Sequence, residues 1–274
     1  MTATLEPYAY SLLVAAAEAA DRAVSRLPLP ERAATVADGA DGEPTTAVDQ
    51  AAERAVFDVL TAGGRPLRVI SEERGELTLV AGDDPLVVLC DPVDSTTNAI
   101  LGLPIYTSAL VAYHHGQVQA AVVRNLATHE AYSAQGQHTA YFNGQPIRCP
   151  KASLADSVVT FGPIRESLAQ QVLVDVVAAS RGIRLFACPS WSLAAVSDGK
   201  VGGFVGLGQS YPVHRLFDVL AAAVVVEAAG GVVTDHCGGP WQVALEDLHS
   251  GVTVVAGATA THGELLAMIG RRTS

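Results

Sequence analysis

A run of five apolar residues, Leu86-Val87-Val88-Leu89-Cys90, ends directly on Asp91-Pro92-Val93-Asp94. A short apolar run that starts after Pro85 and stops at a turn reads as a buried strand. It therefore carries two carboxylates to its own end. Three hydroxyls follow, Ser95, Thr96 and Thr97, and then Asn98. Asp and Pro are ordinary turn residues, so a capped turn is one reading of the segment. The other is a cation site. Asp91 and Asp94 can face one ion with hard oxygen ligands, and the Val93 carbonyl lies between them. The amides after Ser95 can open a helix, and a helix N-terminus attracts phosphate.

The rest of the chain divides by pattern. Tyr10 to Arg26 has apolar residues at helical spacing and ends before Pro28. Thr35 to Pro44 is rich in Asp and Gly and reads as a loop. Thr46 to Leu60 reads as a second helix, and Leu67 to Ile70 as a strand running into Ser71-Glu72-Glu73. Thr107 to Tyr113 and Gln117 to Arg124 form a hairpin around His114-His115-Gly116, with His114 and His115 expected on opposite faces. Glu130 to Ala134 and Thr139 to Phe142 are short strands, and Asn143-Gly144 is a turn signal. From Ser157 onward, strands and helices alternate, including a long helix over Val213 to Ala229. The expected organisation is an α+β N-terminal subdomain over 1–152, carrying most of the candidate metal ligands. An α/β subdomain over 153–274 follows, carrying Asp218 and a substrate loop.

Three more acidic segments suit the same cation site. Glu72 ends a strand. Asp49 stands in the first turn of a helix, where the dipole alone would favour it. Asp218 is flanked by apolar residues on a buried-looking helix, where a charge is costly unless paired or metal-bound. The 274 residues hold 17 basic and 28 acidic side chains, a net charge of −11. That excess disfavours nucleic acid and anionic lipid as partners. Four cysteines without a CxxC argue against a zinc ribbon or a disulfide framework. No apolar run approaches the ~20 residues of a membrane span, and the N-terminus lacks a signal-peptide plan, so the expected location is cytoplasmic.

Together these segments resemble the inositol monophosphatase family. Glu72-Glu73 is similar to its GEE element, and Asp91 to Asn98 to its DPxDGTxN motif. Phe217-Asp218 through Gly231 is similar to its WDxAA…EAGG helix, and Thr45 to Asp49 to its VTxxD segment. Ser95 stands where the family usually has Gly, and Phe217 where it usually has Trp. Cys188-Pro189-Ser190-Trp191 falls where the family usually reads glycine and then small residues.

The resemblance implies a layered αβαβα sandwich of the inositol monophosphatase and fructose-1,6-bisphosphatase type, commonly a homodimer. It implies a magnesium-dependent phosphomonoesterase for a small sugar, polyol or nucleoside phosphate. Histidinol phosphate, a 3′-phosphonucleotide and a catalytically silent phosphate-binding homologue are the alternatives. By similarity, Glu72, Asp91 and the Val93 carbonyl hold one Mg2+, and Asp91, Asp94 and Asp218 a second. A weaker third ion sits near Glu72, and Mn2+ can substitute. Catalysis falls to Glu72, Asp49 and Thr96, the last two as a dyad that orients and deprotonates water. Substrate contacts are assigned to Asp94, Ser95, Thr96, Ser190, Tyr211, His214, Arg215 and Asp218. The loop from Gly206 to Phe217 is expected to read the leaving group.

Overall fold

The computed structural model describes residues 7–40, 42–207, 214–240 and 251–273. Its larger sheet is built from β3 (Leu67–Ser71), β4 (Gly75–Val80), β5 (Leu86–Asp94), β6 (Thr107–His114), β7 (Gln117–Asn125), β8 (Ala131–Gln135), β9 (Thr139–Phe142) and β10 (Gln145–Ile147). The strand order is β10-β9-β8-β7-β6-β5-β3-β4, with β3 and β5 parallel and the other pairs antiparallel. The smaller sheet runs β12 (Gly182–Arg184), β11 (Val158–Phe161), β13 (Gly203–Gly206), β15 (Val254–Gly257), β14 (Val232–Thr234).

Alternation along the strands sorts the core into layers. Val88, Cys90, Leu110, Ala112 and Val122 pack with α1 (Pro7–Arg26) and α2 (Ala47–Ala62). Leu89, Ala109, Val111, Ala121 and Val123 point the other way, toward α6 (Leu216–Ala228) and α5 (Pro189–Ala194). Beyond those helices lies the smaller sheet, whose far face is covered by α4 (Ser167–Ala179) and α7 (Thr259–Thr273). The order is α, β, α, β, α, as the family resemblance implied. Both faces of the large sheet are covered, so its central strands are continuous apolar runs although most pairs are antiparallel. Helix α6 lies between two sheets, and Val219 to Val226 are all buried. A helix with apolar residues all round belongs in such a layer.

Several local expectations change. Thr35–Asp38 (β1) is a strand paired antiparallel with Pro44–Thr46 (β2), not a loop; its Gly-rich centre is only the hairpin tip. Gly75–Val80 adds an edge strand, its Leu77 and Leu79 alternating with exposed Glu76 and Thr78. Helix α6 starts at Leu216, not Val213, and a short helix α3 spans Thr96–Leu101. His114 and His115 do not point apart. His115 (φ 50°) and Gly116 (φ 70°) make a left-handed two-residue turn, which brings the imidazole centroids to 4.1 Å and both rings to Asp84. The turn at Asn143-Gly144 stands as expected, with φ of 49° and 75°. Among the described residues no helix is long and apolar enough to cross a membrane.

Candidate active site

The site gathers where β3 and β5 end together. Their parallel register pairs Ser71 with Cys90, and the Glu72 amide donates to the Cys90 carbonyl at 3.0 Å. Glu72 therefore emerges beside Asp91. Odd spacing in a regular strand would send Asp91 and Asp94 to opposite faces. A bulge prevents this: Asp91 pairs with Ala109 and Asp94 with Thr107, so one extra residue is absorbed on β5. Pro92 sits in that bulge, where the sheet tolerates a missing donor. Both aspartates then face α6, whose first turn carries Asp218.

Ligand oxygens of Glu72, Asp91 and Asp218 lie within 4.8 Å of one another. Asp91 is 1% exposed, and neither carboxylate oxygen has a hydrogen-bond partner. Burial pushes its pKa well above the usual carboxylate range, and the charges of Glu72, Asp94, Asp218 and Asp49 add to the shift. A bare buried carboxylate among acids costs several kcal/mol. A divalent cation bound there supplies the missing partner, so the donor set fits a metal. All-oxygen ligation suits magnesium or manganese better than zinc.

The raised pKa has a sign. Asp91 and Asp94 both bind a proton more tightly in the folded chain than at the ordinary value of 3.8. Their protonation stabilises the metal-free fold fully below that value. The contribution is lost as pH rises through the elevated folded values. Above pH 6.5 the buried His214, with its pKa lowered to about 3, is neutral when folded and adds no opposing trend. Melting of the chelated protein is expected to fall as pH is raised through the elevated values of Asp91 and Asp94. Saturating Mg2+ should flatten the slope; differential scanning fluorimetry checks both.

Thr96 and Asp49 meet where α3 and α2 begin. The Thr96 hydroxyl lies 2.9 Å from Asp49 Oδ1 and 3.1 Å from the Val93 carbonyl. Asp49 Oδ2 accepts from the Thr46 amide at 2.9 Å and the Thr46 hydroxyl at 2.6 Å. Asp49 thus caps α2 and holds Thr96 at once, so its helix-dipole role and its site role coexist. One turn further along α2, Glu53 is 4% exposed and accepts the Ser71 hydroxyl at 2.5 Å. It steadies the strand end that carries Glu72. The i,i+4 spacing of Asp49 and Glu53 is the sequence signal that puts both on one face of α2.

Asp94 is held from the second half of the chain. Its Oδ2 accepts from the Ser190 amide at 2.8 Å, from the Ser190 hydroxyl and from the Cys188 thiol at 3.3 Å. Oδ1 accepts from the Ser95 hydroxyl at 3.1 Å. Burial raises its pKa, and the bonds from Ser190, Cys188 and Ser95 offset part of the rise. Ser95 occupies the left-handed region at φ 73°, which explains the glycine usual at this place. That conformation costs a non-glycine residue roughly 1–2 kcal/mol. The single proton of the Ser95 hydroxyl is shared with the carbonyl of Ala187, itself at φ 53°.

A cleft of about 760 Å³ is lined by Asp49, Glu72, Asp91, Val93, Asp94, Ser95, Thr96, Arg215 and Asp218, and by Ala187. Arg215 Nη1 is 3.2 Å from Glu72 Oε1, and its amide donates to Asp218 Oδ2 at 2.8 Å. Two expected substrate contacts are not on this wall. Ser190 is fully buried and spends its polar atoms on Asp94 and Thr107. His214 is 1% exposed, with both ring nitrogens unpartnered and its ring 5.5 Å from that of Phe204. A β-bridge to Val252 fixes its backbone, and the imidazole fills space that a Cβ at Gly162 or Gly206 would need. Tyr211 lies outside the described residues.

The chain matches the model of the inositol monophosphatase family over residues 2–272. It belongs to that family. It is thereby a phosphoric monoester hydrolase, metal-dependent and acting on small phosphorylated compounds. The fructose-1,6-bisphosphatase/inositol-1-monophosphatase of Methanothermobacter thermautotrophicus is 33% identical over 244 residues, 85% of this chain and 86% of the relative. The inositol-1-monophosphatase ImpA of Mycolicibacterium smegmatis is 31% identical over 277 residues, 97% of this chain and 94% of the relative. Among solved structures, the extragenic suppressor protein suhB of Bartonella henselae superposes with a TM-score of 0.81 at 25% identity, covering 94% of this chain and 97% of that one. Membership in the inositol monophosphatase family accounts for the convergence of Glu72, Asp91 and Asp218 at the strand ends.

Proposed function

We propose that this inositol monophosphatase family member hydrolyses a phosphate monoester with Mg2+ held by Glu72, Asp91, Asp94, Asp218 and the Val93 carbonyl. Mn2+ can take the same place. The observation that carries the reading is Asp91, a fully buried carboxylate with two unpartnered oxygens facing two further acids. Asp94 would join the set through Oδ1, which accepts the Ser95 hydroxyl alone, whereas Oδ2 accepts from both Ser190 and Cys188. Bound metal ions screen the phosphate dianion, acidify water and stabilise the leaving alkoxide.

The chain's own groups do the rest. Thr96 has one hydroxyl proton, and donation to Asp49 leaves its oxygen free to accept from a water. Asp49 takes up the proton that leaves this water. The amides that follow Ser95 sit at the start of α3 and meet the phosphate oxygens. The Arg215 guanidinium, now paired with Glu72, stands on the cleft wall where an anion enters. A homodimer and a cytoplasmic setting are part of the same proposal and rest on the family likeness.

Release of inorganic phosphate from a panel of sugar, polyol, amino-alcohol and nucleoside monophosphates tests it. Turnover is expected with Mg2+, lost in EDTA and restored by added metal. Full turnover in EDTA, or none on any ester, contradicts the proposal.

A further inference from the structure

A second pocket opens next to the catalytic cleft, with a volume of about 350 Å³. The two share Ala187 as a wall. The Ala187 carbonyl is the one that accepts the Ser95 hydroxyl, so the junction is tied to the residue that follows Asp94. An ester whose phosphate lies at Ser95 and Thr96 therefore has this pocket within one residue of its phosphate cradle.

The walls say what fits. Phe161, Pro163, Ile164, Leu185 and Pro189 line the pocket, and among the described residues no charged side chain does. Pro163 and Pro189 also have no backbone N–H to offer a hydroxyl. The remaining polar side chain is the Cys188 thiol, 1% exposed and already directed at Asp94. A polyol pushed into such walls would lose hydrogen bonds to water without replacement. A flat apolar ring loses nothing and buries its faces. Leu185, 59% exposed, is the wall residue that can be changed without disturbing the core.

We infer that this pocket binds the alcohol part of the substrate, and that this alcohol carries an aromatic or heteroaromatic ring in place of a polyol. The inference rests on the phosphatase reading above. The ring can come from a nucleoside or from a simple aryl alcohol, and the test separates them.

Adenosine 5′-monophosphate, 2-phenylethyl phosphate and glycerol 3-phosphate are compared by kcat/KM with Mg2+. At least one ring-bearing ester is expected to exceed glycerol 3-phosphate by about 10-fold or more, the discrimination an apolar pocket achieves. Preference for the nucleotide alone identifies a nucleoside; preference for both ring esters identifies any flat ring. Leu185→Asp should lower the ratio of ring ester to glycerol ester about 10-fold, and Leu185→Ala by less. Leu185 is exposed, so both variants keep the fold. A glycerol ester equal to or better than both ring esters overturns the inference, as does a ratio unmoved by Leu185→Asp. If no ester is hydrolysed, the phosphatase reading has failed. The pocket is then judged by calorimetry with adenosine and 2-phenylethanol: binding weakened by Leu185→Asp sustains it, and no binding of either overturns it.

Discussion

Asp91→Asn is expected to lower phosphate release by roughly 10²–10³-fold, the scale of losing one preorganised electrostatic contact, and to raise the melting temperature of the metal-free protein. The two effects have one cause. Asp91 is buried without a hydrogen-bond partner, and its charge faces Glu72, Asp94 and Asp218. Without metal that arrangement is repulsive at pH above the elevated Asp91 value, and there neutralising one member relieves about 1–3 kcal/mol, a few degrees for a chain of this size. In the proposed metal site the same charge would be a ligand, and removing it would remove the stabilisation that binding gives the fold. Wild type should therefore gain several degrees on adding Mg2+, and the variant much less. A variant that melts lower without metal and still gains the full Mg2+ shift contradicts the placement of Asp91 at the metal.

Thr96→Ala is expected to reduce kcat by roughly 10²–10⁴-fold, the range for a positioned acid–base group, while Mg2+ affinity by calorimetry changes less than about 3-fold. The hydroxyl stands 2.9 Å from Asp49 Oδ1 and outside the set of acids whose ligand oxygens converge. Its loss removes a contact for water and leaves the carboxylates in place. Thr96→Ser retains the oxygen and should recover most of the rate. Collapse of metal affinity in the alanine variant, with no recovery in serine, would instead place Thr96 in the support of the Val93 carbonyl, 3.1 Å away.

The legible part of this molecule was whatever depends on local pattern. Leu86 to Cys90 reads as a buried strand from its apolar run alone, and Asp218 on an apolar helix is a charge that wants a partner such as the acids after that strand. What the pattern hides is a change of direction made by a single residue. The bulge at Pro92 turns Asp91 and Asp94 to one face, where strand periodicity alone separates them. The left-handed turn at His115 does the same for two histidines read as diverging. Ala187 gives no signal at all: an alanine at φ 53° joins two pockets, and only the fold reveals it. His214 shows the reverse error. Its place beside Arg215 suggested the rim, but a side chain one residue away points elsewhere, and Gly162 and Gly206 leave room for it inside.

The central claim is that Glu72, Asp91 and Asp218 hold a catalytic divalent cation. Anomalous scattering from crystals grown with Mn2+ measures it directly. An ordered peak bounded by these three side chains, and lost in Asp91→Asn crystals, is the expected result. The chain offers an internal contrast in Asp84, His114 and His115, whose ligand atoms also lie within 4.8 Å of one another. Manganese ordered only there, or nowhere, with the Glu72–Arg215 pair undisturbed, would contradict the account.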